Sequence, residues 1–285
     1  MAFLGNPAVT GAVLEKYGIR AQKKYGQNFL IDPNILGKIA EISQIGKDDL
    51  VLEIGPGIGS LTQILCERAG KVIAVEIDRK LIPVLKDTLS EYDNLTLINQ
   101  DILKCSLTEL LEEADGYKSV KVVANLPYYI TTPVLMYILE SEYPFECVTV
   151  MIQKEVADRI QADPRTKDYG SLSLAVRYYS NPVVAAQVSP SCFIPRPNVG
   201  SVILKLEVYR QKPVVAKDQE LMFKLIRGSF NQRRKTLVNG LKNYAGLDLS
   251  KEQIENAIEK LGKKPSVRGE ELSLSEFAAL ADILT

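Results

Sequence analysis

The stretch "LVLEIGPGIGS" (residues 50–60) decides how the rest of the chain is read. Its first half is a β-rich apolar run. It then passes through glycines at 55, 57 and 59 into a helix-like segment that begins near Ser60. Glycines at such a junction let the backbone turn sharply and approach a ligand closely, just ahead of a helix N-terminus. The spacing is G-x-G-x-G with Pro56 inside it, whereas the dinucleotide fingerprint G-x-G-x-x-G would need its third glycine at Ser60. A tight structural turn would also account for the loop, so its neighbours have to decide.

Outward from this loop the chain alternates helix and strand. "DPNILGKIAEIS" (32–43) opens with Asp32 as N-cap and Pro33 at the first helical position. Apolar runs at 50–55, 71–78, 95–101 and 120–126 are separated by helix-like segments beginning near Ser60, Arg79 and Ser106. That order predicts βαβ units on a parallel sheet buried on both faces. A fifth strand, "CVTVMIQK" (147–154), leads into a helix through "EVADRI" (155–160). Two further strands, "PVVAAQV" (182–188) and "GSVILKLEV" (200–208), are joined by a short Pro-rich link with no room for a helix, so the last is expected to return antiparallel. Beyond Val208 four segments read as amphipathic helices with short connections. The expected organisation is an α/β domain over 1–207 and a small all-α domain over 208–285.

The 285 residues contain no histidine, which removes serine–histidine triads, histidine bases and histidine metal sites together. Chemistry must run through carboxylates, amides, hydroxyls, backbone groups or a cofactor. Cys66, Cys105, Cys147 and Cys192 form no C-x-x-C pair, which suggests neither zinc nor a disulfide framework. No apolar run reaches the roughly 18 residues of a membrane helix. The start lacks a basic leader and is interrupted by Asn6 and Pro7, so no signal peptide is read and the cytoplasm is the expected compartment. The formal charge of zero is unevenly placed. Residues 205–242 carry ten Lys or Arg against three Asp or Glu, while residues 1–204 carry twenty against twenty-four. Such asymmetry suggests that one end meets a polyanion, although a solvated helix face would also carry it.

The second strand ends in Glu76, some twenty residues beyond the glycine loop, where a carboxylate suits the hydroxyls of a ribose. The third ends in Asp101 and the fourth in Asn125. Each alone would be explained by capping of the next helix. Together they put polar groups at the carboxyl ends of successive strands, where open α/β sheets bind ligands. The order "EIGPGIGS", "VEID", "NQD", "NLPY" resembles the class I S-adenosylmethionine-dependent methyltransferases, with their Rossmann-like, mostly parallel seven-stranded sheet. The resemblance implies that Gly55 and Gly57 pack against the methionine part, Glu76 holds the ribose and Asp101 binds the adenine amine.

"NLPYYITTP" (125–133) then matches the [Asp/Asn/Ser]-x-Pro-aromatic signature of amino-group methyltransferases. An adenine N6 amine is a poor nucleophile because its lone pair is delocalised into the ring. It needs acceptors for its two N–H groups, which the Asn125 side-chain oxygen and the Leu126 carbonyl would supply. Pro127 makes the turn rigid and Tyr128 offers a face for a flipped-out base, worth roughly 1–3 kcal/mol. Methyl transfer from a sulfonium needs mainly alignment and proximity, so the missing histidine is no obstacle.

"QKKYGQNFLID" (22–32), "NLPYYITTP", "SCFIPRPNVGSVILKL" (191–206) and "FNQRRKTL" (230–237) together resemble the ribosomal RNA adenine N6,N6-dimethyltransferases of small-subunit type, in order over nearly the whole chain. The resemblance implies S-adenosyl-L-methionine as cofactor and four methyl transfers to two adjacent adenines of the 3′-terminal rRNA hairpin. It further implies Asn28 and Leu30 at the cofactor, with Asn125 shared between cofactor and substrate, and Phe193 against the target base opposite Tyr128. The expected partner is small-subunit rRNA in a pre-ribosomal particle, met by a monomer that uses no metal and no membrane. The basic triplet Arg233, Arg234 and Lys235, read as opening a helix, is assigned to rRNA phosphates, with Arg20, Lys23 and Lys24 as the alternative. Three other readings stay open. They are a large-subunit adenine methyltransferase of macrolide-resistance type, a ribosome-assembly factor with secondary activity, and a nicotinamide oxidoreductase, the last disfavoured by the glycine spacing. About twenty residues before "QKKYGQNF" have no assigned role.

Overall fold

The computed structural model describes residues 3–22 and 25–285; Lys23 and Lys24 lie outside the described residues. The backbone divides into two compact units, Met1–Ala157 with Pro182–Val208, and Asp158–Asn181 with Tyr209–Thr285.

The strands, in chain order, are β1 (Phe29–Leu30), β2 (Asp49–Ile54), β3 (Lys71–Glu76), β4 (Leu95–Asn99), β5 (Ser119–Asn125), β6 (Cys147–Gln153), β7 (Ser180–Val188), β8 (Phe193–Ile194) and β9 (Ser201–Val208). Seven of them form one sheet in the order β4-β3-β2-β5-β6-β9-β7. β2 pairs in parallel with both β3 and β5, and β9 runs antiparallel to β6, as the Pro-rich link required. All six residues of β2 are buried, which is why the stretch reads as a continuous apolar run rather than an alternating one. The strand order reverses around β2, with β3 on one side and β5 on the other. That opens a crevice at the carboxyl ends of these strands.

The helices of this unit are α1 (Pro7–Lys16), α2 (Pro33–Ile42), α3 (Ser60–Arg68), α4 (Ile82–Thr88), α5 (Leu107–Leu110), α6 (Thr131–Glu140) and α7 (Lys154–Gln161), the last running across the division between units. Asp32 caps α2 through Oδ1, which accepts from the backbone N–H of Asn34 and Ile35. This directs Leu36, Ile39 and Ala40 into the core. The N-terminal extension also has a definite place. Leu4 is buried with Phe29, Ile58, Leu81, Leu85 and Leu89. Its N–H donates to Gln63 Oε1 at 2.8 Å, and its carbonyl accepts from the Thr10 hydroxyl at 2.6 Å. The extension therefore lids an apolar cluster beneath the glycine loop.

The second unit holds α8 (Ser171–Tyr179), α9 (Gln219–Asn231), α10 (Leu237–Lys242), α11 (Lys251–Lys260) and α12 (Leu274–Leu284). A boundary at 207/208 leaves out one piece of it, because Asp158–Asn181 belongs here. Tyr169 is 1% exposed and its hydroxyl donates to the Leu272 carbonyl at 2.8 Å. Tyr178 meets Phe223 edge to face at 5.2 Å, and the Arg165 N–H donates to the Glu270 carbonyl. A tyrosine-rich insertion finds its apolar partners here, which no local pattern in the sequence announces. A second correction concerns Arg233, Arg234 and Lys235. They do not open a helix; they form the exposed link after α9, and Thr236 caps α10 behind them. Cations following a helix C-terminus complement its dipole rather than oppose it. Among the described residues no helix is long and apolar enough to cross a membrane.

Candidate active site

One cavity at the carboxyl ends of the central strands gathers residues from 25–30, 53–58, 125–130 and Phe193, with Glu76 and Asp101 on its wall. The sequence-derived positions Asn28, Leu30, Gly55, Gly57, Glu76, Asp101, Asn125, Leu126, Pro127, Tyr128 and Phe193 all line it. The basic triplet lies in the other unit.

The glycine loop turns with φ of +71°, +61° and +94° at Gly55, Gly57 and Gly59, which L side chains adopt only under strain. The turn brings the Gly57 N–H to 3.1 Å from Glu76 Oε2, while Glu76 Oε1 accepts the Asp78 N–H at 2.7 Å. Glu76 is 4% exposed, and burial pushes its carboxyl up to about 7 despite those donors. A second carboxylate was missed from sequence. Glu53 lines the cavity, is 1% exposed, and its Oε2 has no hydrogen-bond partner among the described residues. Burial pushes it up to about 8, against the lowering effect of the Thr62 hydroxyl and with a smaller push from the charge of Glu76. The signal that would have found it is an acid inside the apolar run "LVLEIG", since a buried carboxylate is rare without a purpose. Asp101 is half-buried after β4, where Oδ1 accepts the Leu103 N–H and starts a short 3-10 turn.

The loop of residues 125–130 continues from β5. The Asn125 Nδ2 donates to the Asn28 carbonyl at 3.2 Å. A carbonyl can only accept, so the amide must turn its nitrogen there, which leaves Oδ1 as an acceptor for something else. Leu126 donates its N–H to the Met151 carbonyl at 3.2 Å, and its own carbonyl takes no hydrogen bond among the described residues. The Pro127 carbonyl receives the Ile130 N–H at 3.1 Å and the Thr131 hydroxyl at 3.2 Å, which binds the loop to the start of α6. Tyr128 is fixed by a hydroxyl–hydroxyl bond of 2.8 Å to Ser201 at the start of β9. Phe193 sits in β8 opposite Leu30 of β1, so the "QNFL" and "CFIP" stretches are joined by a backbone ladder at the cavity wall. Two acceptors with no donor among the described residues, two aromatic rings and two buried acids therefore line one cavity. Such a lining can hold an amine that donates hydrogen bonds, a flat base and a cation.

The description "Ribosomal RNA adenine dimethylase" is that of the family model matching residues 18–280. The chain belongs to this family. The small-subunit rRNA methyltransferase A of Lachnoclostridium phytofermentans is 58% identical over 285 residues, covering 100% of this chain and 98% of that protein. The enzyme of the same name from Streptococcus pneumoniae is 52% identical over 97% of this chain and 96% of its own. Of solved structures, a dimethyladenosine transferase from Plasmodium falciparum superposes with TM-score 0.74 at 30% identity, over 88% of this chain and 95% of that one. The 23S rRNA methyltransferase ErmE does so with 0.65 at 25% identity, over 90% and 99%. The fold of the dimethylase is thus the Rossmann-like class I methyltransferase fold with a helical C-terminal part. Its family match begins at residue 18, so α1 lies ahead of the matched segment.

Proposed function

We propose that this dimethylase transfers methyl groups from S-adenosyl-L-methionine to N6 of two adjacent adenines in the 3′-terminal hairpin of small-subunit rRNA, as a step of small-subunit biogenesis in the cytoplasm. The observation that carries the reading is the Asn125 amide. Its nitrogen is committed to the Asn28 carbonyl, which leaves Oδ1 as an acceptor, and the carbonyl of the next residue, Leu126, takes no hydrogen bond among the described residues. Those two oxygens accept the two N–H groups of the target amine. They hold the nitrogen pyramidal and direct its lone pair along the transfer line. Tyr128, locked by Ser201, and Phe193 hold the flipped base between them. The full-length match to proteins named as small-subunit methyltransferases favours that substrate over the large-subunit alternative.

The residues present fit the cofactor. When bound, S-adenosylmethionine supplies an activated methyl group on a sulfonium. Glu53 Oε2, buried and unpartnered, complements the positive charge of such a molecule, and Glu76 and Asp101 face its ribose and adenine. Asn28 and Leu30 close the wall on the same side, and the glycines at 55 and 57 leave room for its methionine part. On the rRNA side, Arg234 and Lys235 are exposed and make no ion pair among the described residues, while Arg233 lies 3.4 Å from Glu270. These cations are assigned to rRNA phosphates, and the protein acts as a monomer on a pre-ribosomal particle. Incubating immature small subunits with labelled S-adenosylmethionine and mapping the product tests the reading. Label on two adjacent adenines of the 3′ hairpin is expected. Label elsewhere in the particle, or none, would overturn it.

A further inference from the structure

The catalytic loop carries two tyrosines, and the proposed function uses only the first. Tyr129 lines the same cavity yet is 56% exposed. Its ring edge rests on the backbone of Gly26. A Cβ built on that glycine would lie 3.2 Å from Tyr129 Cδ1, 3.5 Å from Cε1 and 3.4 Å from Pro127 Cβ. Gly26 itself sits at φ +57°, so a bare left-handed backbone is what lets the ring approach.

The segment under the ring is anchored from two directions. The Gly26 carbonyl accepts Asn28 Nδ2 at 3.0 Å, and the Asn28 carbonyl accepts Asn125 Nδ2. Gln27 Nε2 donates to Asp78 Oδ2 at 3.0 Å, and Gln22 Nε2 donates to the same oxygen at 2.6 Å. Asp78 is 4% exposed, and its own N–H donates to Glu76 Oε1. One jaw of the contact is therefore tied to the carboxylate read as the ribose acid, and the other jaw is the catalytic loop. The Tyr129 hydroxyl shares the cavity wall with Tyr25, Asp101 and Glu76, and burial and then these groups push it up. Tyr128 is different, because its hydroxyl is tied to Ser201.

We infer that Tyr129 and Gly26 form a clasp across the cleft, over the half lined by Glu76 and Asp101, and that this contact opens for the nucleoside part of S-adenosylmethionine to enter or leave. The inference rests on the cofactor reading above. The two tyrosines then divide the loop: Tyr128 faces the base that is methylated, and Tyr129 covers the molecule that supplies the methyl. Two dimethylated adenines require four cofactor molecules bound in turn, so the clasp governs a step repeated between transfers.

The test is calorimetric affinity for S-adenosylmethionine together with the dissociation rate of S-adenosylhomocysteine in stopped flow, with no RNA present. Tyr129→Ala is expected to weaken affinity and speed dissociation by about tenfold, the scale of one aromatic contact. Tyr129→Phe, which keeps the ring, is expected to behave as wild type. Gly26→Ala, whose methyl displaces the ring, is expected to move dissociation in the same direction as Tyr129→Ala. Unaltered cofactor binding in Tyr129→Ala alongside weaker small-subunit binding would make Tyr129 a nucleobase platform and overturn the clasp. Unaltered binding of both would overturn it as well. A wild-type protein that bound no S-adenosylmethionine would bring down the cofactor reading itself, a failure distinguishable because it needs no variant.

Discussion

Glu53 and Glu76 are buried acids on one wall of the cleft, pushed up to about 8 and about 7 by the loss of water around them. A cation bound against them favours their ionised forms, so binding expels the protons they hold. The sign follows directly. Below pH 7 both carboxyls are mostly neutral and a cationic ligand must displace protons to bind. Affinity for S-adenosylmethionine therefore rises with pH and levels off above about 8. Each proton released steepens the rise by up to about tenfold per pH unit. Glu53→Gln keeps the shape of the side chain without a titrating group. It is expected to bind more weakly above pH 8 and to lose the part of the pH dependence nearest 8. Calorimetry across pH 6 to 9 reads both effects, and a wild-type affinity that is flat over that range would remove these carboxyls from the cofactor site.

At the scale of the element, the N-terminal extension and the α9–α10 link behave differently from what their sequences suggest. Leu4, in a stretch with no assigned role, is 2% exposed and shares a cluster with Ile58 of the glycine loop. Leu4→Ala is expected to lower stability by about 2–3 kcal/mol, the low end for a buried leucine, measured as a shift in urea midpoint at constant slope. The link was expected to start a helix because "RRKTLVNGLKNY" has helical periodicity. Periodicity cannot say where the N-cap falls, and Thr236 takes it. The structure thereby supplies a reason for the basic residues besides RNA, since they follow the C-terminus of α9. Their salt dependence separates the two. Changing all three to Gln is expected to weaken small-subunit binding and flatten its dependence on log salt by roughly 0.7–0.9 for each phosphate no longer neutralised. Arg233, 3.4 Å from Glu270, is expected to contribute the least. An unchanged slope would make them purely a helix-end device. Glycines, strand ends and caps were legible because each is a local backbone demand, as with Asp32 before α2 and Gly55, Gly57 and Gly59 before α3. Glu53, Leu4 and Tyr169 were not, because what makes each matter is burial by residues far away in the chain.

At the scale of the molecule, the fold draws the chemistry from four distant stretches into one cavity within one unit, and collects the helices of residues 158–181 and 209–285 into another. The sheet and its antiparallel last strand were readable, since parallel strands buried on both faces announce themselves as apolar runs between helices. The compact units divide after Val208 and again around residues 158–181. Asp158–Asn181 is assigned by long-range bonds such as that from Tyr169 to Leu272. The central claim is that this cavity acts on an amine through acceptors already in place, and Asn125 is where that claim is most exposed. Asn125→Ala removes one acceptor and leaves Glu53, Glu76 and Asp101 in place, so the loss in turnover should far exceed any loss in S-adenosylmethionine affinity from its bond to Asn28. Loss of a group that acts mainly on the transition state costs about a hundred- to a thousandfold in turnover. The decisive measurement is single-turnover methyl transfer to immature small subunits by Asn125→Ala, made beside its cofactor affinity. A rate lowered by orders of magnitude, with affinity lowered by far less, is the predicted result, and near-normal transfer would contradict the account.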